Sequence, residues 1–246
     1  MTRRFLSTVV WLAAGHALIG LLFWVFLQVP ESNVLMLAAS LLLVMAMIFV
    51  LGCVEAFGVA RAQSEKGLLE AAGLAARRAP LVVLPLAGFA IIFWLTGVAG
   101  NWLTGHAGEI DAWIIATTGW TRTAGLHAAL GWLLAFVCFG VGISLAVSLF
   151  AALVVDGPQA AGRTAWLRRG FGWRQLVVTA LAVLVGIWLP WKAVYWRPTS
   201  LPPTWAEPAF AAAKLAVLFL VANVAWTVIL WTAARSARSE SGWTAR

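Results

Sequence analysis

The sequence predicts an all-α fold: a polytopic transmembrane helical bundle of about six transmembrane helices with two short cytoplasmic interfacial helices. Hydrophobic residues make up 63% of the 246 residues and charged residues only 11%. The mean hydropathy of +0.92 is far above that of a soluble protein. Because a bilayer core needs about 20 apolar residues per helix, the chain has room for roughly six such helices. We therefore expect 1–246 to be one integral membrane domain.

The first apolar run is read as a retained helix. It is about 25 residues long, which exceeds the apolar region of a signal peptide, and Gln28-Val29-Pro30 lacks the small residues of a cleavage site. The polar tail at 235–246 is expected to be disordered. The predicted membrane helices are 5–29, 34–60, 79–103, 126–155, 175–195 and 208–234.

The basic residues predict the orientation of the bundle. In a six-helix arrangement thirteen of them lie on one side, three lie on the other and Lys214 lies within the last helix. Since positive loops remain in the cytoplasm, both termini are predicted to be cytoplasmic in a bacterial inner membrane. The net charge of +8 then reflects topology, and without a binding motif it does not indicate a nucleic-acid partner. The thirteen are Arg3, Arg4, Arg61, Lys66, Arg77, Arg78, Arg163, Arg168, Arg169, Arg174, Arg235, Arg238 and Arg246, and the three are Arg122, Lys192 and Arg197.

Two basic segments, 64–78 and 156–169, lie between apolar runs and end in arginine doublets. In the first, Ser64 is a candidate helix cap, and Leu68, Leu69, Ala72 and Ala76 share one face. The doublets Arg77-Arg78 and Arg168-Arg169 are candidate contacts for the headgroups of anionic lipids on the cytoplasmic face. The similarity between these two segments predicts an internal repeat of 34–103 and 126–197. A second register, which aligns the strings around His16 and His127, would instead give an inverted repeat.

The polar residues singled out within the predicted helices are His16, Glu55, Lys214 and Asn223. An ionisable side chain in a membrane is costly, so each is a candidate functional residue. His16 is placed near mid-depth, where a hydrogen bond to a neighbouring helix is the structural alternative. Glu55 is placed near the cytoplasmic interface, and its candidate partners are Arg61 and the basic residues of 64–78. Lys214 is expected to extend toward the outer surface.

The outer loop at 104–126 contains the densest group of polar residues. His106, Glu109 and Asp111, with His127 nearby, are candidate metal ligands, although their spacing matches no established motif. The stretch from Trp113 to Trp120 is predicted to form a short interfacial helix. The histidines His16 and His127 are candidate haem ligands, but their predicted depths differ by roughly 15 Å.

No motif indicates catalysis. The sequence lacks GxSxG, HExxH, a P-loop and a dinucleotide fingerprint. The two cysteines, Cys53 and Cys138, fall within predicted helices and form no CxxC pair, so neither a disulfide nor a zinc site is indicated. We therefore expect no enzymatic activity and no cofactor.

The arrangement of a helix, a short Ala- and Arg-rich segment and a further helix, present twice, resembles the bacterial membrane domain associated with glycerophosphodiester phosphodiesterases. The stretches that carry the resemblance are 59–61, 67–78 and 157–169. It implies the architecture alone, since that family has no shared catalytic residues to carry over. In addition, Glu70-Ala71-Ala72 followed by Leu84-Pro85 is similar to the coupling loop of ABC-importer permeases, but with a shorter interval and no counterpart in the second segment.

Three functional hypotheses remain open. The first is a scaffold or accessory subunit of a membrane complex or lipid-associated process, with a membrane-protein partner. The second is a small transporter or channel, which requires His16, Glu55, Asn223 or Lys214 to converge on a cavity. The third is a metal- or haem-binding redox subunit.

Overall fold

The structure is a computed structural model that describes residues 2–30, 32–63, 67–121, 123–196 and 205–241. Its regular structure in those residues is helical, which confirms the all-α fold, and six helical stretches are long and apolar enough to cross a membrane. The helices are α1 (Thr2–Gln28), α2 (Val34–Gln63), α3 (Leu68–Arg78), α4 (Val83–Gly105), α5 (Ala107–Thr118), α6 (Ala124–Ala135), α7 (Ile143–Asp156), α8 (Ala165–Gly170), α9 (Trp173–Val183), α10 (Leu189–Val194) and α11 (Ala206–Ser241).

Three of the six membrane-length stretches are composite. A 3-10 turn at Ala79–Val82 joins α3 to α4, and Pro80 lies in it. π-Helical segments join α6 to α7 at Phe136–Gly142 and α9 to α10 at Leu184–Trp188. The remaining three stretches are the continuous helices α1, α2 and α11.

The helix boundaries agree with the predicted spans except at the C-terminus. Helix α11 continues to Ser241, so 235–241 is helical and not disordered. Several residues named in the sequence predictions lie outside the described residues. These are Ser64, Lys66, Arg122, Arg197 and Arg246.

The bundle packs most tightly at one end. There the Gln63 side chain donates a hydrogen bond to the Ala234 carbonyl at 2.9 Å, and the rings of Phe5 and Trp231 meet edge to face. Thus α1 begins where α2 and α11 end. We call this the basic end, because the described arginines of both basic segments also lie there. Helix α7 is central to the core, with Val147, Phe150, Leu153 and Val154 buried.

Helix α3 packs against α2 through its small residues, and it leaves the predicted apolar face exposed. Ala71 and Ala75 are buried in the core, whereas Leu68 and Leu69 are exposed, as are Ala72 and Ala76. Small residues let the α3 backbone approach α2 closely. The larger apolar residues at the start of α3 are left to face the bilayer.

The second basic segment has less helix than the first. It begins with a 3-10 turn at Pro158–Gly162 and continues in the six-residue helix α8. The Ser144 hydroxyl on α7 donates to the Gly170 carbonyl at 2.6 Å, and Gly170 lies against Leu145. This segment is therefore fixed to α7.

Candidate functional site

Four polar side chains from three helices meet inside the bundle. His16 of α1 lies between Asn223 of α11 and Glu55 of α2. Its Nδ1 is 2.6 Å from Asn223 Oδ1, and its Nε2 is 2.9 Å from Glu55 Oε1. Trp226 of α11 donates its indole N–H to both Glu55 oxygens at 2.8 and 2.9 Å. We call these four residues the polar cluster, and it links α1, α2 and α11.

The geometry assigns one shared proton to the His16–Glu55 pair. Asn223 Nδ2 donates to the Phe219 carbonyl at 2.8 Å, so Asn223 Oδ1 faces His16 and must accept from Nδ1–H. The remaining ring nitrogen, Nε2, faces Glu55 Oε1, and a hydrogen bond there needs one proton on either atom. The pair is neutral as a whole in both forms, which lowers the cost of placing it in a membrane.

The polar cluster is largely buried and lies nearer to one end of the bundle. The Glu55 side chain is 5% exposed and the His16 side chain 22% exposed, and Asn223 is buried. At 1.5 Å per residue, Glu55 lies about 9 Å along α2 from Arg61, and Trp226 lies about 13 Å along α11 from Arg235. The cluster therefore lies in the half of the bundle nearer the basic end.

Two cavities adjoin the cluster on different sides. A cavity of about 280 Å³ is bordered by His16 and Asn223, and one of about 380 Å³ is bordered by Glu55. We call them the His16 cavity and the Glu55 cavity. Trp226, Ile143 and Ile187 border both. Apart from the polar cluster, the walls of both are apolar, so each fits hydrocarbon better than water or an ionic solute.

The two π-helical segments contribute to the cavity walls. Gly186 and Ile187 of one line the His16 cavity, and Phe139 of the other lines the Glu55 cavity. A π-helical turn adds a residue per turn and widens the helix, and such turns are frequent at functional sites. Irregular helix therefore borders both cavities.

Three of the four intramembrane candidates converge, and the fourth does not. His16, Glu55 and Asn223 form the cluster. Lys214 instead donates from Nζ to the carbonyls of Val194 and Trp196 at 2.8 and 3.0 Å, so it caps the end of α10. Glu55 bonds to His16 and Trp226, and the suggested pairing with Arg61 is wrong.

The candidate metal ligands of the outer loop do not meet at one site but make separate contacts. His127 Nε2 lies 2.7 Å from Asp111 Oδ1, whereas His106 contacts the carbonyl of Trp102 and stacks on its ring. Glu109 lies in the first turn of α5. Among the described residues, no three His, Cys, Asp or Glu side chains lie together in a way that suits a metal ion. The two histidines proposed for haem have different partners, since His16 belongs to the polar cluster.

The Asp111–His127 contact fastens α5 to α6. We predict that the stability it gives to α5 depends on pH. The hydrogen bond with His127 holds the pKa of Asp111 below its usual value, with a smaller contribution from Thr123. A lowered carboxyl pKa adds stability above the ordinary carboxyl pKa, and that stability is lost as the pH falls through the lowered value. We expect α5 to stay protected from hydrogen exchange between pH 7 and 5, after correction for intrinsic rates, and to open only in stronger acid.

The Asp111→Asn variant is the control for this prediction. Its side chain has no proton to gain, so the acid-dependent loss of protection in α5 should disappear. An identical acid transition in that variant would show that another group fastens α5.

The four arginines proposed as headgroup contacts lie at the basic end. Arg77 and Arg168 are exposed, and Arg78 and Arg169 are half-buried. The guanidinium of Arg78 reaches the second basic segment: a Cβ at Gly157 would lie 2.8 Å from its Nη1. The two basic segments therefore meet at this point.

The sequence did not single out Trp226. Tryptophans of membrane proteins are enriched near helix ends, where aromatic belts form. Trp226 lies within α11, three residues after Asn223, and its N–H needs an acceptor when it is removed from water. The sequence signal that could have identified Trp226 is a tryptophan that lies away from the helix ends and close to another polar residue.

Fold and site together define a multi-pass helical membrane protein with a hydrogen-bonded polar cluster between two apolar cavities. The chain is 32% identical over 83 residues to the lysylphosphatidylglycerol biosynthesis bifunctional protein LysX of Nocardia farcinica. The similar stretch is 34% of this chain and 7% of that protein, so the chain matches only a small part of its relative. No family model matches the chain, and no solved structure matches it.

Proposed function

We propose that this protein is a lipid-binding membrane domain that holds one acyl chain of a membrane lipid in the Glu55 cavity. It would act without catalysis, as a scaffold or accessory module for a lipid-associated process. The observation that carries the proposal is an open-sided cavity of about 380 Å³ that is bordered mainly by α2, α4, α7 and α11 and has almost entirely apolar walls. The similarity of 83 residues to a protein of lysylphosphatidylglycerol biosynthesis supports a lipid-related process.

The physical basis is the shape of the cavity. Helix association in a bilayer gains little from the hydrophobic effect, because lipid tails are themselves apolar. A cavity between helices must therefore be filled by lipid or left with lost dispersion contacts. Phe89, Phe139 and Phe150 line the Glu55 cavity and Pro85 lies at the start of α4. These rigid side chains hold the space open.

In the proposed setting the protein lies in a bacterial inner membrane with its basic end in the cytoplasm. The excess of arginines at that end supports this orientation. An acyl chain in the Glu55 cavity would then come from a lipid of the cytoplasmic leaflet, because the cavity reaches from Val82, beside the basic end, toward Phe139.

Filling the cavity tests the proposal. Ala146 borders it, and Ala146→Phe should lower the number of phospholipids retained in gentle detergent, measured by native mass spectrometry, by about tenfold. The matched control is Ala90→Phe on α4, whose position is exposed to the bilayer. It should retain lipid as the unchanged protein does. Equal retention in both variants would contradict the proposal, provided that their melting temperatures agree.

A proton-coupled transporter is the second candidate, because His16, Glu55 and Asn223 converge. The shared proton of the His16–Glu55 pair supports it. The apolar cavity walls favour lipid binding over the passage of a polar solute. Proton flux into proteoliposomes that requires Glu55 would favour the transporter, and the lipid-binding proposal predicts none.

A further inference from the structure

Arg78 occupies a defined position between the two basic segments. It is the last residue of α3 and is half-buried. Its Nη1 and Nη2 would lie 2.8 and 3.3 Å from a Cβ at Gly157. Gly157 has φ +85°, a conformation that favours glycine. The absence of a side chain there lets the guanidinium lie against the backbone of the loop.

The guanidinium has no protein acceptor among the described residues. No hydrogen bond or ion pair joins Arg78 to any of them. Asp156 precedes Gly157 but does not pair with Arg78. Gln159 Oε1 would lie 3.1 Å from a Cβ added at Gly157. The Gly157 N–H already donates to the Leu153 carbonyl. The five N–H donors of Arg78 are therefore available to an anion, and their planar fork suits a phosphate group.

Arg78 also lies beside the mouth of the Glu55 cavity. The cavity begins at Val82, four residues further along, which corresponds to about 6–8 Å of helix axis. The 3-10 turn between them is buried at Ala79 and Val82, so the spacing is fixed by packing. A phosphate at Arg78 and a hydrocarbon chain at Val82 fit the two ends of one glycerophospholipid.

We propose that Arg78 and the Gly157 loop form the headgroup site for an anionic glycerophospholipid whose acyl chain lies in the Glu55 cavity. The inference rests on the proposed function and adds the class of lipid. The positive charge of Arg78 has no carboxylate beside it among the described residues, and it disfavours a headgroup that carries its own cation. The site therefore selects a lipid with net negative charge.

The test is a competition between two lipids. The full-length protein in detergent is offered equal amounts of phosphatidylglycerol and phosphatidylcholine, and the lipid retained is counted by native mass spectrometry. We expect about a fivefold preference for phosphatidylglycerol, the size of effect that one arginine near a membrane surface gives. Arg78→Gln should reduce the preference to near one while total lipid retention persists. The control Arg3→Gln, which removes an exposed positive charge from α1 at the same end, should keep most of the preference.

The outcomes separate the two proposals. Retention without a headgroup preference, or a preference that survives in Arg78→Gln, overturns the headgroup site and leaves the proposed function standing. The absence of retained lipid in the unchanged protein overturns both. Inorganic phosphate should not displace the lipid, and displacement would show that the site binds free phosphate instead.

Discussion

Replacing Glu55 by alanine is expected to lower the free energy of unfolding in detergent by about 2–3 kcal/mol. The substitution removes the hydrogen-bond partner of both His16 and Trp226 and leaves a void beside the Glu55 cavity. Interhelical hydrogen bonds in membranes contribute about 0.6–1.7 kcal/mol each, and the void adds to their loss. Denaturant titration in mixed micelles measures the change.

Two further variants make this prediction sharper. Glu55→Gln presents an amide N–H to His16 Nε2 and a carbonyl oxygen to Trp226, so the bond to His16 and one of the two bonds from Trp226 can be kept. It should cost less than about 1 kcal/mol. Glu70→Ala removes an exposed carboxylate on α3 and should cost almost nothing. If Glu55→Ala were as stable as Glu70→Ala, the polar cluster would not hold α1, α2 and α11 together.

Replacing Gly52 by alanine is expected to destabilise the protein by about 1–3 kcal/mol. Gly52 on α2 is buried, and a Cβ there would overlap the backbone carbonyl of Ala79 in the 3-10 turn before α4. Because the obstacle is backbone, α2 and the turn would have to separate. Thermal unfolding in detergent measures the loss.

The matched control for Gly52 is Gly97→Ala on α4. No atom lies within 4 Å of a Cβ added at Gly97, and alanine favours a helix over glycine by up to about 1 kcal/mol. The same chemical change should therefore leave the control unchanged or slightly more stable. A similar effect at both positions would mean that the close approach of α2 and the turn is not important for stability.

The membrane spans could be predicted because they depend on long apolar runs. The predicted boundary of α2 at residue 34 coincides with the observed one. The composite helices were not predicted. The π-helical segments arise from packing against neighbouring helices. No local pattern in the sequence predicts them. Similarly, α11 extends to Ser241 although the composition becomes polar after Ala234.

The members of the polar cluster could be predicted one by one, but their convergence could not. Each polar residue in an apolar run is conspicuous because its burial is costly. Which of them meet depends on helix rotation and helix neighbours. His16 and Glu55 were placed at different depths, and α1 and α2 instead bring them to the same level. Lys214 is also a polar residue in an apolar run, but it lies at the end of α10, outside the cluster.

Labelling by a photoactivatable phospholipid tests the central claim most directly. A lipid with a diazirine on its acyl chain is incorporated with the protein into nanodiscs, irradiated and mapped on the peptides. The buried residues Val147 and Phe150 line the Glu55 cavity, whereas Leu18 and Leu21 are exposed on α1. An acyl chain inside the cavity predicts label on Val147 and Phe150 that Ala146→Phe abolishes. Label confined to exposed residues such as Leu18 and Leu21 would contradict it.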